Sequence, residues 1–179
     1  MSATATATSR ISASAAVAAL QRNGVDHVVT VPDWVQLSLH DRLHRGVAGI
    51  RLINATNENQ CVTLAAGLTI GGCKPMLVMQ NQGLYNAVNT LRAVCLDAHI
   101  PLVFMVGQFG REYANVGQDP RQSRRTMVRI MEPLLEAIGV PFRRVESDAD
   151  FEAVDQAYEQ AQRDHTAVVL LIGAPMGWR

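Results

Sequence analysis

The 179-residue sequence has no charge imbalance: sixteen basic and sixteen acidic side chains cancel. No bulk field therefore recruits nucleic acid or an anionic membrane, and no local basic patch stands in for one. No apolar run approaches the roughly 20 residues that cross a bilayer, and no signal-peptide core follows the N-terminus, so a soluble cytoplasmic protein is expected. Cysteine is scarce. Cys61, Cys73 and Cys95 lack paired metal-ligand spacing and fall in or beside apolar segments, which reads as reduced core thiols. No Gly-x-Gly-x-x-Gly or Walker-type phosphate loop follows a strand, which disfavours a nucleotide binder of flavodoxin type.

What is present is a chain that is 48% hydrophobic and of a length for one substantial core. Residues 1–10 are rich in Ala, Thr and Ser and read as a frayed tail, leaving 11–179 as a single domain. Ile11 to Arg22 has helical spacing closed by Asn23-Gly24, and Val25 to Val31 is a β-branched run stopped by Pro32. Asp33 is placed to cap a second helix, and Gly49 to Ala55 gives a second strand. Cys61, Leu64, Ala65 and Leu68 then recur at helical spacing, with Asn57 as N-cap, Gln60 as a near capping box and Gly71-Gly72 as the stop.

Pro75 to Met79 is the third strand, and an Asn81-Gln82-Gly83 turn leads to a helix carrying Leu84, Val88, Leu91 and Cys95. Pro101 to Val106 is the fourth strand; Gly107 to Arg125 is a long polar loop of the kind that carries function. Met127 to Ile138 is helical, broken or restarted at Pro133 with Glu132 as N-cap. A short strand at Phe142 to Val145, a helix around Phe151 to Ala161 and an apolar strand at Thr166 to Ile172 complete the chain. Six strands alternating with helices predict an α/β fold: an open, mostly parallel six-stranded sheet with helices on both faces. In such a sheet ligands bind beyond the carboxyl ends of the strands. Those ends carry Pro32-Asp33, Ala55 to Glu58, Gln80 to Gly83 and Gly107 to Arg111, and Glu58 is the titratable side chain set at a helix start.

The run Ala55-Thr-Asn-Glu-Asn-Gln-Cys-Val-Thr-Leu-Ala-Ala-Gly-Leu68, then Gly72-Cys-Lys-Pro75, then Met79-Gln-Asn-Gln-Gly-Leu-Tyr-Asn86 resembles the pyrimidine-binding domain of thiamine-diphosphate enzymes. The likeness is to the decarboxylases of sulfopyruvate and phosphonopyruvate, and it extends to Val31-Pro-Asp33 and to the stretch from Pro133 to Pro141. The resemblance implies that Glu58 hydrogen-bonds a pyrimidine nitrogen of the cofactor and so activates its thiazolium carbon toward a 2-oxo acid. It places Asn81, Gln82 and Gly83 at the cofactor, and Pro32, Asp33, Asn81, Gln82 and Arg111 at the substrate.

The family's diphosphate is held through Mg2+ by a Gly-Asp-Gly motif, which this chain lacks. The resemblance therefore implies the α subunit of a split enzyme. A β subunit would supply the diphosphate and Mg2+ sites, in an α2β2 or larger assembly, with no metal ligands in this chain. Sulfopyruvate, converted to sulfoacetaldehyde and carbon dioxide, is the expected substrate. Alternatives are decarboxylation or carboligation of phosphonopyruvate or an aromatic 2-oxo acid, and a non-catalytic regulatory subunit.

Several positions depart from the family pattern. Phe109-Gly-Arg-Glu112 stands where the family has Arg-Gly-Glu, so the anion-binding fork falls to Arg111, Arg121, Arg124 or Arg125. Trp34 and Tyr85 replace smaller residues and either pack in the core, face a subunit or line the pocket. His40 and His44, at i and i+4, make at most a two-point metal site.

Overall fold

The computed structural model describes residues 11–179; the tail expected at 1–10 lies outside the described residues. Along the chain run α1 (Ala13–Arg22), β1 (His27–Thr30), α2 (Leu37–Arg45), β2 (Arg51–Asn54), α3 (Glu58–Ile70), β3 (Pro75–Gln80) and α4 (Asn81–Leu91). Then follow β4 (Leu102–Gly107), α5 (Thr126–Arg129), α6 (Met131–Ala137), β5 (Phe142–Val145), α7 (Glu152–Asp164) and β6 (Ala167–Ile172). All six strands are parallel in the order β2-β1-β3-β4-β6-β5, as the alternation of strands and helices predicts.

Burial explains which strands take the middle. Leu102–Gly107 and Ala167–Ile172 are buried at every residue, and Pro75–Gln80 at all but its last, so these near-continuous apolar runs need cover on both faces. The outer strands, Arg51–Asn54 and Phe142–Val145, carry arginine and are half-exposed. Charge on an edge strand discourages another chain from adding to the sheet. Successive strand side chains alternate faces. Val28, Met76, Val78, Val103, Met105, Val168 and Leu170 pack with α1, α2 and α7, whereas Val29, Leu77, Met79, Phe104, Val106, Val169 and Leu171 pack with α3, α4 and α6.

Helix starts differ from the sequence reading at four places. Asn57 does cap α3, accepting the Gln60 N–H at 3.0 Å, but the Gln60 side chain reaches back to Thr56 rather than to the cap residue. Asp33 does not cap α2. Its Oδ1 accepts the Val35 N–H at 2.7 Å within a local turn, and α2 starts behind Gln36 with no side-chain cap. The Asn81-Gln82-Gly83 segment is no turn: α4 begins at Asn81, directly where β3 ends at Gln80. Glu132 is a first-turn residue of α6, whose N-cap is Ile130, because its buried carboxylate is drawn inward to Arg144 at 2.6 and 2.7 Å.

After Leu91 the α4 helix widens into a π-helical segment, Arg92–Asp97, which no sequence signal marked. The chain order places β1 between β2 and β3, so connections leave β1 and β3 in opposite directions along the sheet. A crevice opens at such a reversal, outside the carboxyl ends of the strands. The residues that follow β1, β2, β3 and β4 meet there.

Candidate functional site

Glu58 is the first residue of α3 and is half-buried. Its side chain lies flat against the first turn of α4. A Cβ added at Gly83 would sit 2.6 Å from Glu58 Oε1 and 2.7 Å from Cδ, closer than real contacts come, so only glycine admits the carboxylate here. Asn86, one turn further along α4, donates from Nδ2 to Glu58 Oε2 at 3.2 Å; Oε1 is left without a hydrogen bond. Below this contact Thr90 Oγ1 donates to Asn59 Oδ1 at 2.6 Å and fixes the two helices in register. The carboxylate also stands at the positive start of α3, worth about 0.3–1 kcal/mol to a negative charge.

A second carboxylate repeats this close approach in a dry setting. Asp33, 1% exposed, lies on Gly107 at the end of β4, where an added Cβ would meet its Cγ and Oδ1 at 2.8 Å. Gln36 Nε2 donates to Asp33 Oδ2 at 2.6 Å and to the Met105 carbonyl at 3.3 Å, while Gln36 Oε1 is buried without a partner. Burial pushes the Asp33 carboxyl up to about 6, against hydrogen bonds from Gln36 and the Val35 N–H that favour the charge.

His40 completes this cluster. Its Nε2 accepts the Asp33 N–H at 2.9 Å, so the ring proton sits on Nδ1, which is buried and unpartnered. Burial, then the charge of His44, lowers its pKa to about 4 and holds it neutral. The His40–His44 pair is no metal site, since Nε2 is engaged and His44 Nδ1 bonds the His40 carbonyl at 2.8 Å.

The remaining expected residues separate into buried and free ones. Asn81 is fully buried; its Nδ2 donates to the Phe109 carbonyl at 3.0 Å and to the Met127 carbonyl at 3.5 Å. Tyr85 is half-buried, not a pocket wall, and donates to the same Met127 carbonyl at 2.6 Å. These two side chains pin the loop after β4 to the start of α4. Gln82 is exposed, as are Pro32 and Trp34, the indole at 68%.

Arg111 is not the free fork the sequence suggested. Its side chain is 1% exposed and pairs with Glu146 at 2.5 Å. Its nitrogens further donate to Gln108 Oε1, Asn115 Oδ1 and the carbonyls of Asn115 and Gln118 at 2.8–3.0 Å. Four of its five N–H donors hold the loop, and the Glu146 carboxylate faces the same buried head. Arg121 is engaged by Glu132 and Glu136, whereas the Arg124 and Arg125 guanidinium groups make no hydrogen bond or ion pair to the described residues, and the Arg125 methylenes lie over Gly110, next to the Asn81–Phe109 contact. No sequence signal separated these arginines, since the difference lies in what the folded loop brings to each.

A family model described as the thiamine pyrophosphate enzyme N-terminal TPP binding domain matches residues 12–128. Among curated proteins, the chain is 28% identical over 162 residues to the sulfopyruvate decarboxylase subunit alpha of Methanothermobacter thermautotrophicus, covering 90% of this chain and 94% of that one. It is 29% identical over 140 residues to the phosphonopyruvate decarboxylase of Streptomyces viridochromogenes, 78% of this chain but 34% of that longer protein. The solved thiamine diphosphate-dependent 4-hydroxybenzoylformate decarboxylase of Rhodococcus jostii RHA1 superposes with a TM-score of 0.67 at 20% identity, over 95% of this chain and 31% of that one. That likeness is one of fold, and the chain spans about a third of each of the two longer proteins.

The Glu58–Gly83 contact is testable by a double-mutant cycle in denaturant unfolding. Gly83→Ala overpacks the contact and is expected to cost about 1–3 kcal/mol. In a Glu58→Ala background the same change becomes neutral or stabilising, because alanine is the better helix former by about 1 kcal/mol. A coupling energy near zero would contradict the contact.

Asp33 predicts a pH dependence of opposite sign to that of an ion-paired carboxylate. Its folded pKa of about 6 exceeds the unfolded value of about 3.9, so the fold binds the proton more tightly. The resulting stabilisation, about 2–3 kcal/mol, is complete below pH 4 and lost as pH rises through 6. The stability difference between wild type and Asp33→Asn should therefore shift in the variant's favour across pH 4–6, with Gln36 turning its unpartnered Oε1 toward the new amide. A difference independent of pH would refute the assignment.

Proposed function

The chain belongs to the thiamine pyrophosphate enzyme family, through its N-terminal TPP binding domain, and we propose that it is the α subunit of a split 2-oxo acid decarboxylase acting on sulfopyruvate. The observation that carries this reading is the Glu58 carboxylate laid across Gly83 at the catalytic edge, with Oε1 free to meet a ring nitrogen. The residues fit the pyrimidine half of the cofactor: a half-buried carboxylate with one open oxygen, glycine backbone beneath it and the exposed Gln82 one residue before that glycine.

Thiamine diphosphate, when bound, supplies the electron sink for the carbanion left by loss of carbon dioxide. Glu58, kept oriented by Asn86, would accept a proton-bearing pyrimidine nitrogen at Oε1 in a charge-assisted contact. Gly83 leaves on α4 the room that this carboxylate occupies. Asp33, being dry and bound to Gln36, acts in this reading as a positioning residue that fixes the turn carrying Pro32 and Trp34, rather than touching substrate itself. Asn81 likewise works through the loop it holds.

The diphosphate and its Mg2+ fall to a β subunit, a reading supported by the near-complete coverage of a relative named as a subunit alpha. For the sulfonate, Arg125 is the fork we favour over the equally unpaired Arg124: Arg111 is engaged, Arg124 lies by Glu112, and Arg125 lies over Gly110 beside the Asn81–Phe109 contact. A planar guanidinium matches a sulfonate's oxygens.

The test is aldehyde release from sulfopyruvate by the chain co-expressed with the product of the neighbouring gene, in the presence of thiamine diphosphate and Mg2+. Glu58→Gln is expected to lower kcat about 10²–10⁴-fold. Wild-type turnover in that variant would sink the mechanism, and absence of turnover by any assembled complex would favour the non-catalytic reading.

In the same assay Arg125→Gln should raise KM for sulfopyruvate about 10–100-fold, the loss of a hydrogen-bonded charge, and leave pyruvate turnover unchanged. An equal effect on both substrates would remove Arg125 from the sulfonate site.

A further inference from the structure

At the opposite end of the sheet from Glu58, three donors of different chemistry converge. One ligand atom each from Asp26, His27 and Cys73 lies within 4.8 Å of the others. His27 and Cys73 are forty-six positions apart in the chain, and the sheet closes the gap: β1 and β3 run parallel with His27 opposite Pro75, so Cys73 comes level with the entrance to β1. We propose that these three side chains bind a thiophilic divalent transition-metal ion of the zinc type, clamping the amino ends of β1 and β3.

The donor set is held in place before any ion arrives. Asp26 Oδ1 accepts the Lys74 N–H at 2.9 Å, and the Asp26 N–H donates to the Lys74 carbonyl at 3.2 Å, so the carboxylate is fixed to the segment that carries Cys73. His27 Nδ1 lies 2.8 Å from the same Oδ1. Cys73 Sγ and Asp26 Oδ2 take no hydrogen bond. An ion bound at Nδ1 takes the imidazole with its proton on Nε2, and the proton released is the thiol's.

Tetrahedral zinc, with metal–ligand distances of about 2.0–2.3 Å, sets its ligand atoms about 3.3–3.8 Å apart. Side-chain rotation of about 1 Å therefore closes the site. The His27 side chain is 13% exposed and that of Asp26 42%, which leaves an entry path and room for a water as the fourth ligand. Thiolate and imidazole select zinc or cobalt over magnesium or calcium, which take oxygen ligands. The other two thiols do not compete: Cys61 and Cys95 are fully buried, and burial pushes both up to about 12.

The experiment titrates the full chain with Co2+ as a spectroscopic probe and then with Zn2+. One Co2+ per chain is expected, with a sulfur-to-metal charge-transfer band in the near ultraviolet that equimolar Zn2+ abolishes. Cys73→Ser should remove the band, Cys61→Ser should keep it, and His27→Gln should weaken binding about 10-fold or more. Circular dichroism checks that each variant is folded, and Cys73→Ala serves as a second thiol-free variant. A wild-type chain that gives no sulfur band, or a band that survives in both Cys73 variants, overturns the proposal. Neither result depends on Glu58 or on turnover, so failure here is distinguishable from failure of the decarboxylase reading.

Discussion

The contact between Glu58 and the bare backbone of Gly83 is the constraint around which this chain is arranged. A charged side chain cannot lie on a helix turn that carries side chains of its own, so α3 and α4 approach through small residues: Cys61, Ala65, Gly83 and Ala87 are all buried between or beside them. Asn57 fixes where α3 starts, and the absence of any turn after β3 fixes where α4 starts. Had a loop intervened between Gln80 and Asn81, the first turn of α4 would be displaced along the sheet edge and the carboxylate would have no floor. The local rules of helix initiation and the geometry of the site are therefore one requirement.

Asp33 on Gly107 shows what the same device does when water is removed. Glu58 keeps an open oxygen and is half-exposed; Asp33 is enclosed, and its environment favours the protonated acid. Gln36 and His40 surround it with amide and neutral imidazole rather than with a cation, and each retains a buried atom without a partner. Unsatisfied buried polar atoms cost roughly 1–3 kcal/mol each, so this cluster holds the turn after β1 at a stability cost. Two carboxylates on one sheet edge thus suit different tasks: one accessible and able to exchange a proton contact with a ligand, the other fixing the backbone beside it.

Much of this was legible in the sequence, for reasons that particular residues make plain. The runs Met76–Met79, Leu102–Val106 and Ala167–Ile172 are buried on both faces and read directly as strands of a parallel sheet, and Asn57 and Gly71-Gly72 bracket α3 as cap and stop. Glu58 stood out because its position after a strand and at a helix start is a sequence property. Contacts made across the chain were hidden. Asp33 reads as a helix cap until Gly107, seventy-four positions away, is seen beneath it. Arg111 reads as a free cation until Glu146 and Gln118 close on it. The Asp26–His27–Cys73 cluster has no spacing signature, because strand pairing rather than helical or loop periodicity assembles it.

The chemistry of the sheet's carboxyl edge also argues that it works against another surface. Its polar groups are carboxylates, amides, a loop held by the engaged Arg111 and the Arg125 guanidinium at that loop's rim, and among the described residues the group of side chains able to hold a metal ion lies at the other end of the sheet. A diphosphate brings negative charge that Glu58 would repel and that one guanidinium does not balance, so most of it has to be neutralised from outside this edge. The same edge carries exposed rings on the loops after β1 and β4, Trp34 at 68%, Tyr113 at 77% and Phe109 at 37%. Large aromatic surface left in water is unfavourable and is enriched where proteins associate. On the proposed reading one association meets both needs: it covers the rings and brings the positive charge that the cofactor's anionic half requires, while this chain contributes the carboxylate that its pyrimidine half requires.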